Sequence, residues 1–438
     1  MNNHPIRNSN QVLDPVEEQQ RINSIDVLRG VALLGILLLN IVGMALPDPA
    51  YWDPSGYGGD TGWNLRVFFV NGLLFEGTMR GIFSMLFGAG VILFTARKEA
   101  EGAGLELANA WYRRTIWLIV FGLFHAYVLI WPGEILYFYG IVGMFIFPVR
   151  QVAPQKLLVF SLFLFAVISL LGIHDSMKVT RIYERAVVAQ EVLAQGGELT
   201  ADQENDLEEW DYKQAEYKPG EETKKEVIEN MRSGYFSAVK TMAPLSEFIQ
   251  TVYFFRHGFL DVLSMMLLGM ALYGWRIFHG ERSWKLYALF VLTGYGVGIP
   301  VNWIETCSYI ADNFSVISYY KNQQTYELGR LFTTMGHVGL VMLFTKIRFL
   351  GFLKRSLAAV GRMALTNYIM HTVIATTLFG IFRQYGRWQR HELYYLVVAI
   401  WISQLILSPL WLRYFRFGPL EWLWRWLTYG KRPRLSRS

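Results

Sequence analysis

The sequence holds one cysteine, Cys307, so no internal disulfide, iron–sulfur cluster or CxxC redox pair can be built from it. Charge is scarce too: 17% of the 438 residues are Asp, Glu, Lys or Arg, against about 25% in a soluble domain. No Walker A run is present, which removes ATP hydrolysis by a P-loop. No G-x-S-x-G elbow is present either. Metal binding needs clustered histidines and carboxylates, and His257 with Asp261 supplies too few ligands, so no metal site is expected. Basic residues are not interleaved with aromatics in any recognisable nucleic-acid module, so no nucleic-acid partner is expected.

What the chain does have is apolar surface: 53% hydrophobic residues, with 15 Trp, 24 Tyr and 30 Phe. Its net charge of +6 equals the excess in the tail from Arg413 to Ser438, which has seven basic residues and one acidic. A basic tail behind a hydrophobic segment fits the positive-inside rule and an anionic cytoplasmic leaflet. The first apolar run is too long for a signal peptide and no A-x-A site follows it, so it is read as an attached first membrane helix.

Ten stretches are long and apolar enough to span a bilayer: 24–46, 78–96, 112–131, 134–150, 155–173, 247–275, 284–303, 327–346, 356–382 and 393–413. The fold class expected is therefore all-α, a polytopic membrane helix bundle with membrane lipids around it. Its expected divisions are a cytoplasmic N-terminal segment 1–23, spans one to five within 24–173, a polar insertion 174–245, spans six to ten within 246–413, and a basic cytoplasmic tail 414–438. Residues 47–77 form a Pro/Gly/Asp-rich loop followed by an interfacial helix. The insertion carries nine Lys/Arg against fifteen Asp/Glu and reads as polar helices split at Gly196-Gly197 and Pro219-Gly220. With both termini inside, the inner short loops hold thirteen basic residues (Arg97 and Lys98 among them) and the outer ones four. That bias predicts that both termini lie in the cytoplasm and the insertion outside.

Polar groups interrupt several spans, where they are costly and therefore informative. Asn40 sits about 16 Å along the first helix from Arg29, which pairs in sequence with Asp26. His125 lies halfway along the third span, Glu134 in the WPGE connection after it, and His337 near the middle of the eighth. His257 and Asp261 share a helical face one turn apart, an arrangement in which the carboxylate orients the imidazole as a general base. Asn367 and His371 share a face of the ninth span. Each has a structural reading beside the functional one: a membrane His or Asn also serves as interhelical glue worth about 0.6 kcal/mol. Gly88 and Gly90 are read as close-packing positions.

Five stretches together, IDVLRGVALLGILLLN (25–40), MLFGAGVIL (85–93), FGLFHAYVLIWPGEILYFYGIVG (121–143), GRMALTNYIMH (361–371) and FGPLEWLWRWLTYGK (417–431), resemble the bacterial DUF418, or YeiB-like, membrane proteins. That family is similar to the transmembrane acyltransferases, including the acyltransferase-3 enzymes and the heparan-α-glucosaminide N-acetyltransferase. The resemblance implies transfer of an acyl group from cytoplasmic acyl-CoA to a sugar, glycolipid or similar acceptor across the membrane. Acyltransferase-3 proteins carry an Arg with a His eleven residues later, where this chain has Arg29 and Asn40. Asn there looks like the glucosaminide acetyltransferase version, whose catalytic His follows in the external loop; here no His stands between Asn40 and His125. Either another His serves or the chemistry differs.

For acyl transfer, Arg29, Arg113 and Arg114 are candidates for the CoA phosphates, and His125 or His257 for the base. Asp261 and Glu134 are candidate partners in catalysis, while the Asn40 and Asn367 amides, with His371, are candidates to hold the substrate and its oxyanion. The rival reading is a proton-coupled transporter of a small polar or amphiphilic solute, with GYGVGIP (294–300) as its broken helix. A third is a structural or sensing protein that binds partners through 174–245.

Overall fold

A computed structural model describes residues 23–100 and 104–437 of the chain. Segment 1–23 therefore lies outside the described residues except for Asn23, and so do the side chains of Arg97 and Lys98. The described residues form helices and contain no strand beyond an isolated bridge between Phe415 and Ser436. The protein is an all-α, multi-pass membrane helix bundle. In order the helices are α1 (Asn23–Ala45), α2 (Gly62–Val70), α3 (Thr78–Ala100), α4 (Gly104–Tyr127), α5 (Leu136–Ile146) and α6 (Pro154–Ala194). Then come α7 (Ala201–Tyr217), α8 (Glu221–Arg232), α9 (Tyr235–Phe248), α10 (Phe259–Gly274), α11 (Trp284–Ala311) and α12 (Val316–Asn322). The last are α13 (Tyr326–Lys346), α14 (Gly351–Arg362), α15 (Ala364–Ala375), α16 (Leu393–Tyr414) and α17 (Pro419–Tyr429).

Eight helical stretches among the described residues are long and apolar enough to cross a membrane. They correspond to eight of the ten runs expected from sequence. The other two, 112–131 and 134–150, are the α4–α5 hairpin. Helix α4 carries Glu106, Arg113 and Arg114, which dilute its apolar character. Helix α5 has 11 residues, about 16 Å at 1.5 Å per residue, half a hydrocarbon core. The run 356–382 is likewise divided, between α14 and α15, by a turn at Met363.

Burial separates the centre of the bundle from its lipid-facing belt. Helix α1 and most of α10 are buried nearly all round. By contrast, α6, α11 and α16 turn Phe163, Leu292 and Ile406 outward, as expected of helices bathed in lipid rather than water. The α3–α10 crossing is set by two glycines. A Cβ on Gly88 would run into the backbone of Met266, and one on Gly269 into the backbone carbonyl of Met85. Gly90, two residues on and so on the other side of the helix, meets nothing within 4 Å, so of the two glycines noted in sequence only Gly88 mediates packing.

The polar insertion grows out of the bundle instead of hanging from it. Helix α6 has 41 residues and runs unbroken through the expected boundary at 173/174, reaching about 60 Å. On the return side, α9, a π-helical stretch Ile249–Gly258 and α10 form one helical run of 40 residues. The insertion is also bonded down. Trp52 donates to the Tyr217 carbonyl at 3.1 Å, Lys224 to Gly56 at 2.9 Å and Arg232 to Tyr385 at 2.7 Å. Lys218 lies 3.3 Å from buried Asp53.

Because backbone, not a flexible side chain, blocks the Gly269 site, Gly269→Leu should cost about 3 kcal/mol or more. Thermal unfolding in detergent should show a large loss, while Gly90→Ala should unfold with the wild type; equal stability of both variants would refute this packing account.

Candidate functional site

Three polar clusters lie inside the bundle. The first gathers residues already singled out in sequence. His125, near the end of α4, is fully buried; its Nε2 is 2.7 Å from the Thr372 hydroxyl on α15, and its ring meets Tyr368 edge-on at 5.1 Å. Its Nδ1 has no hydrogen-bond partner among the described residues. His371 adjoins Thr372, and its Nε2 is 3.1 Å from Gln404 Oε1 on α16, with Nδ1 again unpartnered. Gln404 donates to the Asn367 carbonyl, and the Asn367 amide donates to Ser408 at 3.0 Å and to the Val360 carbonyl at 3.2 Å. Asn367 and His371 are thus brought beside His125. Glu134 is nearby but occupied: its carboxylate accepts the Leu136 amide at 2.7 Å and the Tyr137 amide at 3.2 Å, which caps α5. One turn beyond Thr372, Thr376 lines a small apolar pocket of about 30 Å³ with Met44, Ile130, Met242 and Phe379, between α1, α15 and the insertion.

The second cluster lies at the opposite end of α4. Arg29 on α1 pairs with Asp26 at 3.0 Å. The Arg114 guanidinium stacks 3.5 Å above Trp424 of α17, whose indole N–H donates back to the Arg114 carbonyl at 2.9 Å. Arg425 of α17 lies over Phe417 at 4.5 Å, within electrostatic reach of both Arg29 and Arg114. Arg113 stands apart from these three, donating to the Leu427 carbonyl at 2.9 Å. The nearby carboxylate of Glu421 accepts the Leu365 amide at 2.7 Å, and the Thr366 amide and hydroxyl at 3.0 and 2.6 Å, at the start of α15. Among the described residues neither Arg114 nor Arg425 has an ion pair.

The third cluster overturns the expected His257–Asp261 dyad. Asp261 lies between Arg80 of α3, at 2.9 Å, and Arg330 of α13, at 2.6 Å; Arg330 also pairs with Glu327 at 2.5 Å. His257 points elsewhere, 3.8 Å from Asp175, which is held by Arg256 at 2.8 Å. The physical reason is twofold. The π-helical stretch ends between His257 and Asp261 and turns them out of α-helical register. Two guanidinium ions are also far stronger partners for a buried carboxylate than an imidazole. The expected break at 294–300 is likewise absent: α11 passes through Pro300 as one helix. The break occurs at Glu76-Gly77, between the π turn Asn71–Phe75 and α3, with Gly77 at φ +66°. A Cβ at Gly77 would strike the Arg330 side chain.

Two candidates join no cluster. Asn40 is half-buried and its amide makes no hydrogen bond among the described residues. His337 has both nitrogens occupied, by the Leu74 carbonyl at 2.7 Å and Tyr295 at 2.8 Å, as interhelical glue. Arg80, Arg330, Glu327, Glu76 and Arg425 went unread in sequence. Arg80 and Arg330 had a signal, each being a basic residue just inside an apolar run.

Removing Asp261 leaves two guanidinium groups without their shared counter-charge. Asp261→Ala should therefore destabilise the protein by about 3–5 kcal/mol, read as lost thermal stability in detergent; a change within error would show that the cluster holds nothing together.

The family described as "Protein of unknown function (DUF418)" matches residues 272–431. The "Uncharacterized protein YeiB" of Escherichia coli (strain K12) is 30% identical, with 96% of this chain and 99% of that protein aligned. The "Uncharacterized protein YxaH" of Bacillus subtilis (strain 168) is 29% identical over 95% of this chain and 96% of its own length. No solved structure matches. The chain belongs to the DUF418, YeiB-like family of multi-pass membrane proteins.

Proposed function

We propose that this protein is a membrane-embedded acyltransferase that takes its acyl group from acyl-CoA and passes it to a sugar, glycolipid or similar acceptor across the bacterial cytoplasmic membrane. The observation that carries the reading is the gathering of Arg29, Arg114 and Arg425 from α1, α4 and α17. Of the three guanidinium groups only Arg29 has an ion-paired carboxylate, Asp26, while Glu421 is engaged with the start of α15. Such a surplus of fixed donors suits phosphate groups, which Arg binds in bidentate fashion. In this reading the arginine end faces the cytoplasm, where CoA is found, and the insertion lies outside.

The two remaining requirements of acyl transfer are a base and a path to it. His125 lies on the same helix as Arg114, eleven residues and about 16 Å along it. A long thioester arm anchored by its phosphates at Arg114 spans that distance. The unpartnered Nδ1 of His125 is an acceptor for the proton of an incoming hydroxyl or amine. The acceptor oxygen or nitrogen then bonds to the thioester carbonyl, the C–S bond breaks, and the CoA thiolate leaves to be protonated.

A second reading, a proton-coupled carrier, is favoured by the interrupted helix at Glu76-Gly77 beside a charged cluster, a common setting for transport sites. Calorimetric titration of the purified protein with acetyl-CoA, with free CoA as control, separates the two. The acyltransferase reading expects saturable binding that weakens about ten- to a hundredfold in Arg114→Ala and Arg425→Ala, each removing charge-assisted hydrogen bonds. Folded wild type that binds neither ligand, or variants that bind as well as wild type, would defeat it in favour of the carrier.

A further inference from the structure

The helix break at Glu76-Gly77 creates an opening that the arginine–carboxylate network leaves unfilled. Arg330 is sealed, with its side chain 1% exposed, whereas the Arg80 side chain is 28% exposed although it shares the same carboxylate. Arg80 contacts Asp261 through Nη1. Its other guanidinium donors take part in no hydrogen bond among the described residues, and the side chain stays partly exposed. Glu76, four residues earlier, is also half-buried; the Tyr51 hydroxyl reaches it only at 3.4 Å, and the Tyr326 hydroxyl and the Arg80 guanidinium are among its other neighbours.

Tyrosines surround this opening. Tyr51, Tyr253 and Tyr326 all lie within electrostatic reach of Arg80, and Tyr319 within reach of Glu76. Tyr253 is 37% exposed, with its ring also packed near Phe138 and His257. Tyr217 of the insertion roofs the space: its ring lies 5.2 Å from that of Tyr319 and 6.0 Å from that of Trp52.

We infer that this opening is a saccharide-binding site, formed by the Arg80 donors and the Glu76 carboxylate facing one space walled by tyrosine rings. The charges argue against an anion. Arg80 and Arg330 are matched by Asp261 and Glu327, and Glu76 adds a further acidic group. An apolar chain would desolvate the Glu76 carboxylate and the Arg80 donors that Asp261 does not engage. A sugar meets all three features: its hydroxyls accept from a guanidinium, donate to a carboxylate and exchange both roles with tyrosine hydroxyls, while its C–H faces lie against aromatic rings. The break supplies the room, since Gly77 lets the chain turn without a side chain in the opening. The site stands at the insertion-bearing ends of α3, α10 and α13, away from the arginine cluster. In this it rests on the acyltransferase reading, for which it is the acceptor's place, although sugar binding can be measured without that activity.

The test is saturation-transfer NMR on the full-length protein in lipid nanodiscs free of sugar detergents. The probes are D-glucose, D-galactose, D-glucosamine and N-acetyl-D-glucosamine, with L-glutamate and L-lysine as zwitterionic controls. Wild type should transfer saturation to at least one sugar, with apparent affinity falling about tenfold in Glu76→Gln and in Arg80→Lys. Tyr326→Phe removes only a hydroxyl and should weaken binding in a protein that unfolds like wild type, which guards against misfolded charge variants. Silence from every sugar, sugar signals that persist in all three variants, or transfer to the amino acids alone would each overturn the inference. Free CoA titrated into the same sample keeps the two readings apart: sugar binding without CoA binding retains this site and removes the acyltransferase.

Discussion

Asp261 is the point on which three helices meet. It stands near the start of α10, in a stretch that is otherwise apolar, and receives Arg80 from α3 and Arg330 from α13. A lone carboxylate or guanidinium in that setting carries a desolvation penalty of several kcal/mol, so none of the three helices can slide without exposing one. The α3–α10 crossing already fixes the spacing through Gly88 and Gly269, whose missing side chains let the backbones touch. The ion cluster then fixes the axial register. Gly77 completes the interlock, because the Arg330 side chain occupies the space in which any larger residue there would place its Cβ.

The two basic regions of the bundle differ in how their charge is balanced. Around Asp261, each buried guanidinium has a carboxylate within ion-pair distance, and the network is close to self-sufficient. Around Arg114 and Arg425, aromatic rings take the place of counter-ions. Stacking on Trp424 and Phe417 holds the guanidinium planes while leaving their edges for an incoming anion. That difference is why the arginine cluster is assigned to a phosphate-bearing donor and the Arg80 opening to a neutral polar ligand. The insertion belongs to the second region, since its helices continue those of the bundle and its Tyr217 packs over the break.

Much of the fold was legible from residues alone, because a spanning helix must be long and apolar whatever it packs against. The runs that became α1, α6 and α16 could be read directly. The α4–α5 hairpin could not, since aromatic-rich segments rich enough for a span can also be short helices packed on one another. Part of the site was legible as well: His125, Asn367 and His371 were conspicuous as polar groups in apolar surroundings, and they lie together. The pairing of His257 with Asp261 was misread because helical spacing describes neighbours on one helix, while Asp261 is claimed by two arginines from other helices. Arg425 was hidden in a tail whose charge looked like membrane orientation alone.

The sequence by itself determined that this is a helical membrane protein, because apolar length and the scarcity of charge are properties of each segment taken singly. It also determined where costly polar groups interrupt those segments. Which of these groups meet was decided only by the tertiary structure. Contacts such as Arg80 with Asp261 or His125 with Thr372 join residues 181 and 247 positions apart. Their partners are chosen by helix crossings at glycine and by the backbone break at Gly77. Local spacing carries no record of those crossings, since they depend on the shapes of two helix surfaces at once.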